Sequence, residues 1–390
     1  MVKFKNILIG YILLHVHSAL LFSAVYGQSI YFPPRNGQWE TKDPGELGLD
    51  KILLQKAVSF AESNEYSGSR DLKIAILEAF ADEPFHNIVG PTRERGGPAG
   101  MIIKDGFIIV AWGDIEKVDM TFSVTKSYLS TVAGLAWDAG LIKDLHDPVY
   151  NYIWDGTFDG EHNQKITWHH LLNQSSDWSG SLFGMPDWTD RPPQEGIIDD
   201  WKNRERFVPG THFKYNDVRV NVLAYSLLHV FRKPLPVVLK EKIMDPIGAT
   251  LTWRWYGYEN SWVEVDGMRI QSVSGGGHSG GGMFISTEDH ARFGLLFLNK
   301  GNWNGNQLIS EEWIKMVQIP SETNERYGYM WWLNWGHKVW EDLPDNIYYA
   351  AGFGGNYIVI IPDLNMVIVT RWLEPSQLGE FLHLVINSNE

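Results

Sequence analysis

The sequence predicts an α+β protein in which an antiparallel sheet, assembled from both ends of the chain, is flanked by helices and interrupted by an inserted, largely helical and loop-rich subdomain. Three observations carry this. The apolar, β-branched runs Met101–Lys104 and Phe107–Trp112 are joined by Asp105-Gly106, a strong signal for a tight hairpin. The runs Tyr357–Ile361 and Met366–Trp372 are joined by the turn residues Pro362-Asp363-Leu364-Asn365, which makes them antiparallel as well. Helical periodicities lie between and after these two hairpins, so the strands have helices to pack against.

Taken in chain order, Lys3 and Lys5 precede an apolar run from Ile7 to Val25 that ends at Val25-Tyr26-Gly27. This pattern predicts a secretory signal peptide over residues 1–27 and a mature domain over 28–390, hence a secreted or periplasmic protein. An uncleaved N-terminal anchor is the alternative. Residues 31–49 are rich in Pro and Gly and are expected to drape over the surface. Helical spacing follows over Lys51–Glu62 and Asp71–Phe80, then from Ser123 through Tyr128, Leu129, Val132, Leu135 and Ala136 to a stop at Gly140. Between about residues 146 and 209 the composition turns polar, with many Trp, Asp and Gly residues, and this marks the insertion. A helix over Thr287–Leu298, a strand over Ile347–Ala351 and a closing helix over Gln377–Asn387 complete the pattern.

Of the 390 residues, 44% are hydrophobic and 21% charged, the balance of a protein with a substantial core. The formal net charge of −14 argues against nucleic acid and anionic membranes as partners. The chain has no cysteine, which rules out disulfides, thiol catalysis and Cys-based zinc sites. His169 and His170 are adjacent, point to different faces, and read as packing or capping residues. Asp155, Asp159 and Gly160 resemble part of a calcium loop, but Ile166 stands where a bidentate Glu is needed. No metal or cofactor is expected, and nothing in the sequence sets an oligomeric state.

The chemistry concentrates at Ser123-Val124-Thr125-Lys126. Residues three apart on a helix share a face, so the Lys126 amine can reach the Ser123 hydroxyl. A serine oxygen is nearly inert at neutral pH unless a neighbouring base takes its proton during attack on a carbonyl. Alone, Ser-x-x-Lys is a short pattern that reads more readily as a serine near a helix start with a solvated lysine one turn on.

The surroundings add specificity. Phe122-Ser123-Val124-Thr125-Lys126-Ser127, the exit Gly140-Leu141-Ile142 with Asp147-Pro148-Val149, Ile166-Thr167 with His170-Leu171-Leu172, Pro209-Gly210 with Tyr215-Asn216-Asp217, and Gly281-Gly282-Met283 with Ser286-Thr287 occur in order along the mature chain. Together they resemble the serine β-lactamase and penicillin-binding-protein superfamily, in particular its class C-like branch of esterases, D-amino-peptidases and 6-aminohexanoate-oligomer hydrolases. The resemblance implies a β-lactamase/transpeptidase-like fold and a secreted serine hydrolase that cleaves an ester or amide. Ser123 would be the acylated nucleophile, Lys126 its base, and Tyr215 the phenol that shuttles protons to the leaving group and water. The backbone amides of Ser123 and Phe353, the latter following Gly352, would form the oxyanion hole. Tyr258-Glu259-Asn260 also spells Tyr-x-Asn but lacks the preceding Pro-Gly and Phe.

Two departures from the family pattern matter. Asp217 stands where the family usually carries Asn, placing a carboxylate beside Lys126. The third motif reads Ala350-Ala351-Gly352, without the cation that holds a substrate carboxylate in β-lactamases and cell-wall peptidases. Esters and uncharged amides are therefore favoured over the alternatives, β-lactams and D-alanyl peptides. Gly277-His278-Ser279-Gly280-Gly281 formally matches a nucleophile elbow, but no helix can start within the glycines that follow it. That loop is expected to edge the pocket, where His278 either touches substrate or bonds loop backbone. Trp168, Trp178, Trp188, Trp201, Trp253, Trp255 and Trp262 fall in the segments expected to roof the site, and suggest a carbohydrate-linked ester as one candidate substrate. The reading from another class is a non-catalytic sugar-binding protein on a hydrolase scaffold.

Overall fold

The computed structural model describes residues 30–35, 38–193 and 195–389; the signal expected over 1–27 lies outside the described residues. Its centre is a six-stranded antiparallel sheet in the order Trp332–Leu333, Tyr348–Gly352, Asn356–Ile361, Met366–Arg371, Ala99–Lys104, Phe107–Trp112. The early and late hairpins meet along their full length, from Ala99 opposite Arg371 to Lys104 opposite Met366. That seam is the junction of the two chain ends expected from the hairpin pattern. At the first turn Asp105 and Gly106 both have positive φ, 51° and 89°, as a two-residue turn of matching twist requires.

Both faces of the sheet are covered, which is why its central strands read as nearly unbroken apolar runs. Met101, Ile103, Val367 and Val369 point into one core with the helix Thr287–Leu298 and the helix Thr125–Asp138. Ile102, Val359, Ile361 and Ile368 point the other way, against the helices Lys51–Ser63 and Leu378–Ile386. Gly294 lets the helix Thr287–Leu298 lie close to the sheet, since a Cβ there would stand 2.5 Å from Val367 Cγ1.

A second, four-stranded sheet runs in the order Asp119–Met120, Gly282–Ile285, Arg254–Val265, Met268–Val273. The long hairpin within it was not foreseen, although Asp266-Gly267 carries the same turn signal as Asp105-Gly106 and adopts the same positive φ angles, 54° and 74°. The segment between the helices Thr125–Asp138 and Asp217–Phe231 contains only short elements, among them the helices Trp168–Leu172 and Ile198–Asn203 and the paired strands Ser181–Leu182 and Met185–Pro186. Buried ion pairs pin it to the second long helix, where Arg219 reaches Asp177 at 2.7 Å and Asp187 at 2.9 Å; within the segment Arg204 also reaches Asp177, at 2.6 Å. His170 closes a capping box with Thr167, and burial, then its neighbours His169 and His146, push its pKa down to about 4, so it serves as a neutral acceptor.

Candidate active site

Ser123 sits in a single 3-10 turn, Phe122–Val124, that runs directly into the helix Thr125–Asp138, so the helix begins slightly later than its apolar spacing suggested. The residue before it, Phe122, has φ +49°, a conformation that a bulky side chain rarely adopts. Its ring is held in place by edge contacts with Phe353 at 5.0 Å and Trp372 at 6.4 Å. The half-buried serine is thereby presented at the helix mouth, and Lys126 Nζ lies 2.9 Å from its Oγ.

Lys126 is 1% exposed, so its amine has to be satisfied from within. Asp217, the first residue of the helix Asp217–Phe231, supplies Oδ1 at 2.6 Å. The other oxygen, Oδ2, accepts from Arg191 Nη1 at 2.6 Å, and the same guanidinium reaches Asp190 Oδ1 at 2.6 Å and His278 Nδ1 at 3.1 Å. The Asp217 amide donates to Asp190 Oδ2. His278 Nε2 then meets Glu83 Oε2 at 2.6 Å. A guanidinium can only donate, so Nδ1 of His278 is the acceptor, and the ring proton sits on Nε2 and is donated to Glu83. Burial by itself would raise the pKa of Asp217, but Lys126 and Arg191 together hold it far below the usual carboxylate range.

Glu83, Asp190 and His278 carry donor atoms within 4.8 Å of one another, close enough to share a cation. Their lone pairs are already engaged, however, and the Arg191 guanidinium fills the positive position among the carboxylates. Arg191, Asp190 and Glu83 were missed in the sequence, where Asp190-Arg191 is only a charged pair ahead of Pro192-Pro193 and no spacing ties it to Ser123.

Tyr215 is adjacent, but it offers the face of its ring. Lys126 Nζ lies 4.7 Å and Arg191 Cζ 5.1 Å from the ring centroid, and the ring stacks on Trp332 at 5.8 Å. Among the described residues no hydrogen bond joins its hydroxyl to Ser123 or Lys126. Tyr258 is a core residue whose hydroxyl meets Asn221 and Ser274 at 3.2 Å. Gly352 ends its strand directly on the nucleophile's backbone, where a Cβ would stand 2.2 Å from Thr121 O and 3.3 Å from Ser123 N. Phe353 is therefore the next residue along the site wall, with the Phe80 ring tilted against it at 5.7 Å.

His278 is 8% exposed, and its two ring nitrogens meet the side chains of Arg191 and Glu83 instead of loop backbone. Trp178 is 3% exposed with its indole N–H on Thr157 O, and Trp168, Trp253 and Trp255 are buried too, so the expected tryptophan roof is largely core packing. Ser279 is likewise buried, and after Gly280 and Gly281 the chain enters the strand Gly282–Ile285 without forming a helix, so this loop is no nucleophile elbow. Beside Arg191 opens a groove of about 700 Å³ lined by Phe80, Asp82, Glu83, Pro192, Pro193 and Ile198.

The β-lactamase family model matches residues 116–371, two thirds of the chain. Among solved structures, the chain is similar to a candidate β-lactamase from Bacteroides dorei (15% identity, TM-score 0.60, covering 87% of this chain and 99% of that one). It is also similar to a candidate 6-aminohexanoate-dimer hydrolase from Bacillus anthracis (16%, 0.56, 92% and 88%). A family VIII carboxylesterase aligns as well (15%, 0.55, 76% and 93%). At these identities the likenesses establish a shared fold.

Proposed function

Because the chain belongs to the β-lactamase family, we propose that it is a serine hydrolase that cleaves esters or uncharged amides through an acyl-enzyme on Ser123. The observation that carries this reading is the contact of 2.9 Å between Ser123 Oγ and the buried Lys126 amine. In the proposed reaction the amine takes the hydroxyl proton as Oγ bonds to the substrate carbonyl carbon. Asp217 orients that amine and stabilises the ammonium that forms, and the Ser123 and Phe353 amides receive the oxyanion. Collapse expels the alcohol or amine, which takes its proton from Tyr215; in deacylation the attacking water gives a proton to that phenolate, and Lys126 returns the serine proton to Oγ as the acid leaves. The groove beside Arg191 has room for the acyl or leaving group. Export through the N-terminal leader is part of the proposal.

Exposure to a fluorophosphonate probe followed by peptide mapping tests this without knowledge of the substrate. The adduct is expected on Ser123; labelling on another serine, or none, would remove the reading. Tyr215→Phe is expected to lower ester hydrolysis at least about a hundredfold, the scale for losing a positioned proton donor, even though the ring packing survives. A rate within a few-fold of the parent would take Tyr215 out of the proton path.

By the resemblance, the third motif here is Ala350-Ala351-Gly352, and neither residue ahead of Gly352 is the cation that would hold a substrate carboxylate. Nitrocefin should therefore turn over slowly or not at all beside p-nitrophenyl butyrate. Comparable rates for the two would show that the missing cation is immaterial.

A further inference from the structure

Asp217 is shared. One oxygen holds Lys126 and the other holds Arg191, both at 2.6 Å; the lysine and the carboxylate are buried, where water screens little, and the guanidinium, its side chain 29% exposed, stands between them and the groove. A buried lysine paired one-to-one with a carboxylate is locked as an ammonium, and an ammonium cannot take the proton of Ser123. A second cation on the same carboxylate weakens that lock in two ways: it draws off part of the negative charge, and it repels a proton on the lysine. Arg191 is itself fixed from behind by Asp190 Oδ1 at 2.6 Å and by His278 Nδ1 at 3.1 Å, with Glu83 holding the ring at Nε2. The charged and titratable groups around Arg191 are thus Asp190, Asp217, His278, Glu83, whose Oε1 accepts from the Arg191 amide at 3.3 Å, Lys214, whose Nζ donates to Arg191 O, and Tyr215 through its ring.

We propose that Arg191 is a positioning residue for nucleophile activation: by sharing Asp217 with Lys126, it keeps the Lys126 amine available to accept the Ser123 proton. This rests on the acyl-enzyme reading above. It assigns to the inserted segment, through a residue that no family motif contains, control over the chemistry of the helix beneath it. The Glu83–His278 pair then acts as the bracket that aims the guanidinium.

The test is the rate of fluorophosphonate labelling of the full chain as a function of pH, for the parent and for Arg191→Gln, Arg191→Lys and His278→Ala. Arg191→Gln should label at least about tenfold more slowly at pH 7, with the rising limb of its profile displaced upward by about one pH unit or more, the shift that corresponds to a tenfold change in protonation. Arg191→Lys preserves the charge but not the forked contacts, and should keep the limb in place even where labelling is slower at every pH. His278→Ala frees the guanidinium without deleting it and should move the limb in the same direction by a smaller amount, which tests the idea even where Arg191→Gln does not fold. A limb that stays put in both Arg191→Gln and His278→Ala overturns the proposal, as does an equal slowing of Arg191→Gln and Arg191→Lys at every pH, the mark of a merely structural role. Labelling that persists in Ser123→Ala would instead remove the acyl-enzyme reading itself, so the two failures are distinct.

Discussion

Ser123→Ala should lower hydrolysis of p-nitrophenyl butyrate by about 10⁴-fold or more, the scale on which serine hydrolases lose rate when the nucleophile is deleted. No neighbouring group can replace it: Lys126 is enclosed, and Ser127, the next hydroxyl on the helix, is 1% exposed with its Oγ on Met330 O. Stability should hardly change. The substitution removes one hydrogen bond at a half-buried position, worth about 1 kcal/mol, and leaves the Lys126–Asp217 pair intact. Parallel measurement of turnover and thermal melting therefore separates chemistry from folding. A variant that melts like the parent and still hydrolyses the ester at a comparable rate would place the reaction elsewhere in the molecule.

Gly276→Ala should be more damaging than its chemistry suggests. The backbone at Gly276 lies outside the positive-φ region, so an alanine is conformationally acceptable and the effect is steric. Its Cβ would stand 1.7 Å from Asp217 Oδ1 and 2.2 Å from Lys126 Nζ. Neither can simply step aside, because Asp217 is tied by Arg191 and by its own amide to Asp190, and among the described residues Lys126 has only the half-buried Ser123 as a further acceptor. Separating the pair leaves charges buried without compensation, which costs about 3–5 kcal/mol. Ester hydrolysis should fall at least about a hundredfold through loss of the positioned base. The expected result is a melting point several degrees lower together with that loss of rate. Parent-like stability and activity would mean that the contact between the Gly276 loop and the ion pair is loose.

These two substitutions also show which parts of the protein can be read without coordinates. Asp105-Gly106 and Pro362-Asp363-Leu364-Asn365 announced their hairpins because turn geometry depends on the residues in the turn itself. The Thr287–Leu298 helix was legible for a similar reason, since its apolar period and the Ser286 cap are local. The second sheet was overlooked where tryptophans at 253, 255 and 262 drew attention to ligand binding, although Asp266-Gly267 marked its turn. Trp178 was misplaced for the same reason: a flat, apolar side chain serves core packing and ligand stacking equally well, and only burial distinguishes them.

The sequence by itself determined the antiparallel sheet built from both chain ends and the proximity of Ser123 and Lys126, because turn chemistry, side-chain period and the three-residue rise of a helix act over a few neighbouring positions. Only the tertiary structure decided what surrounds that amine. Glu83, Asp190, Arg191, Asp217, His278 and Gly276 come from separate segments, and the state of a buried charge depends on whichever partners those segments bring to it, a relation that no local pattern records.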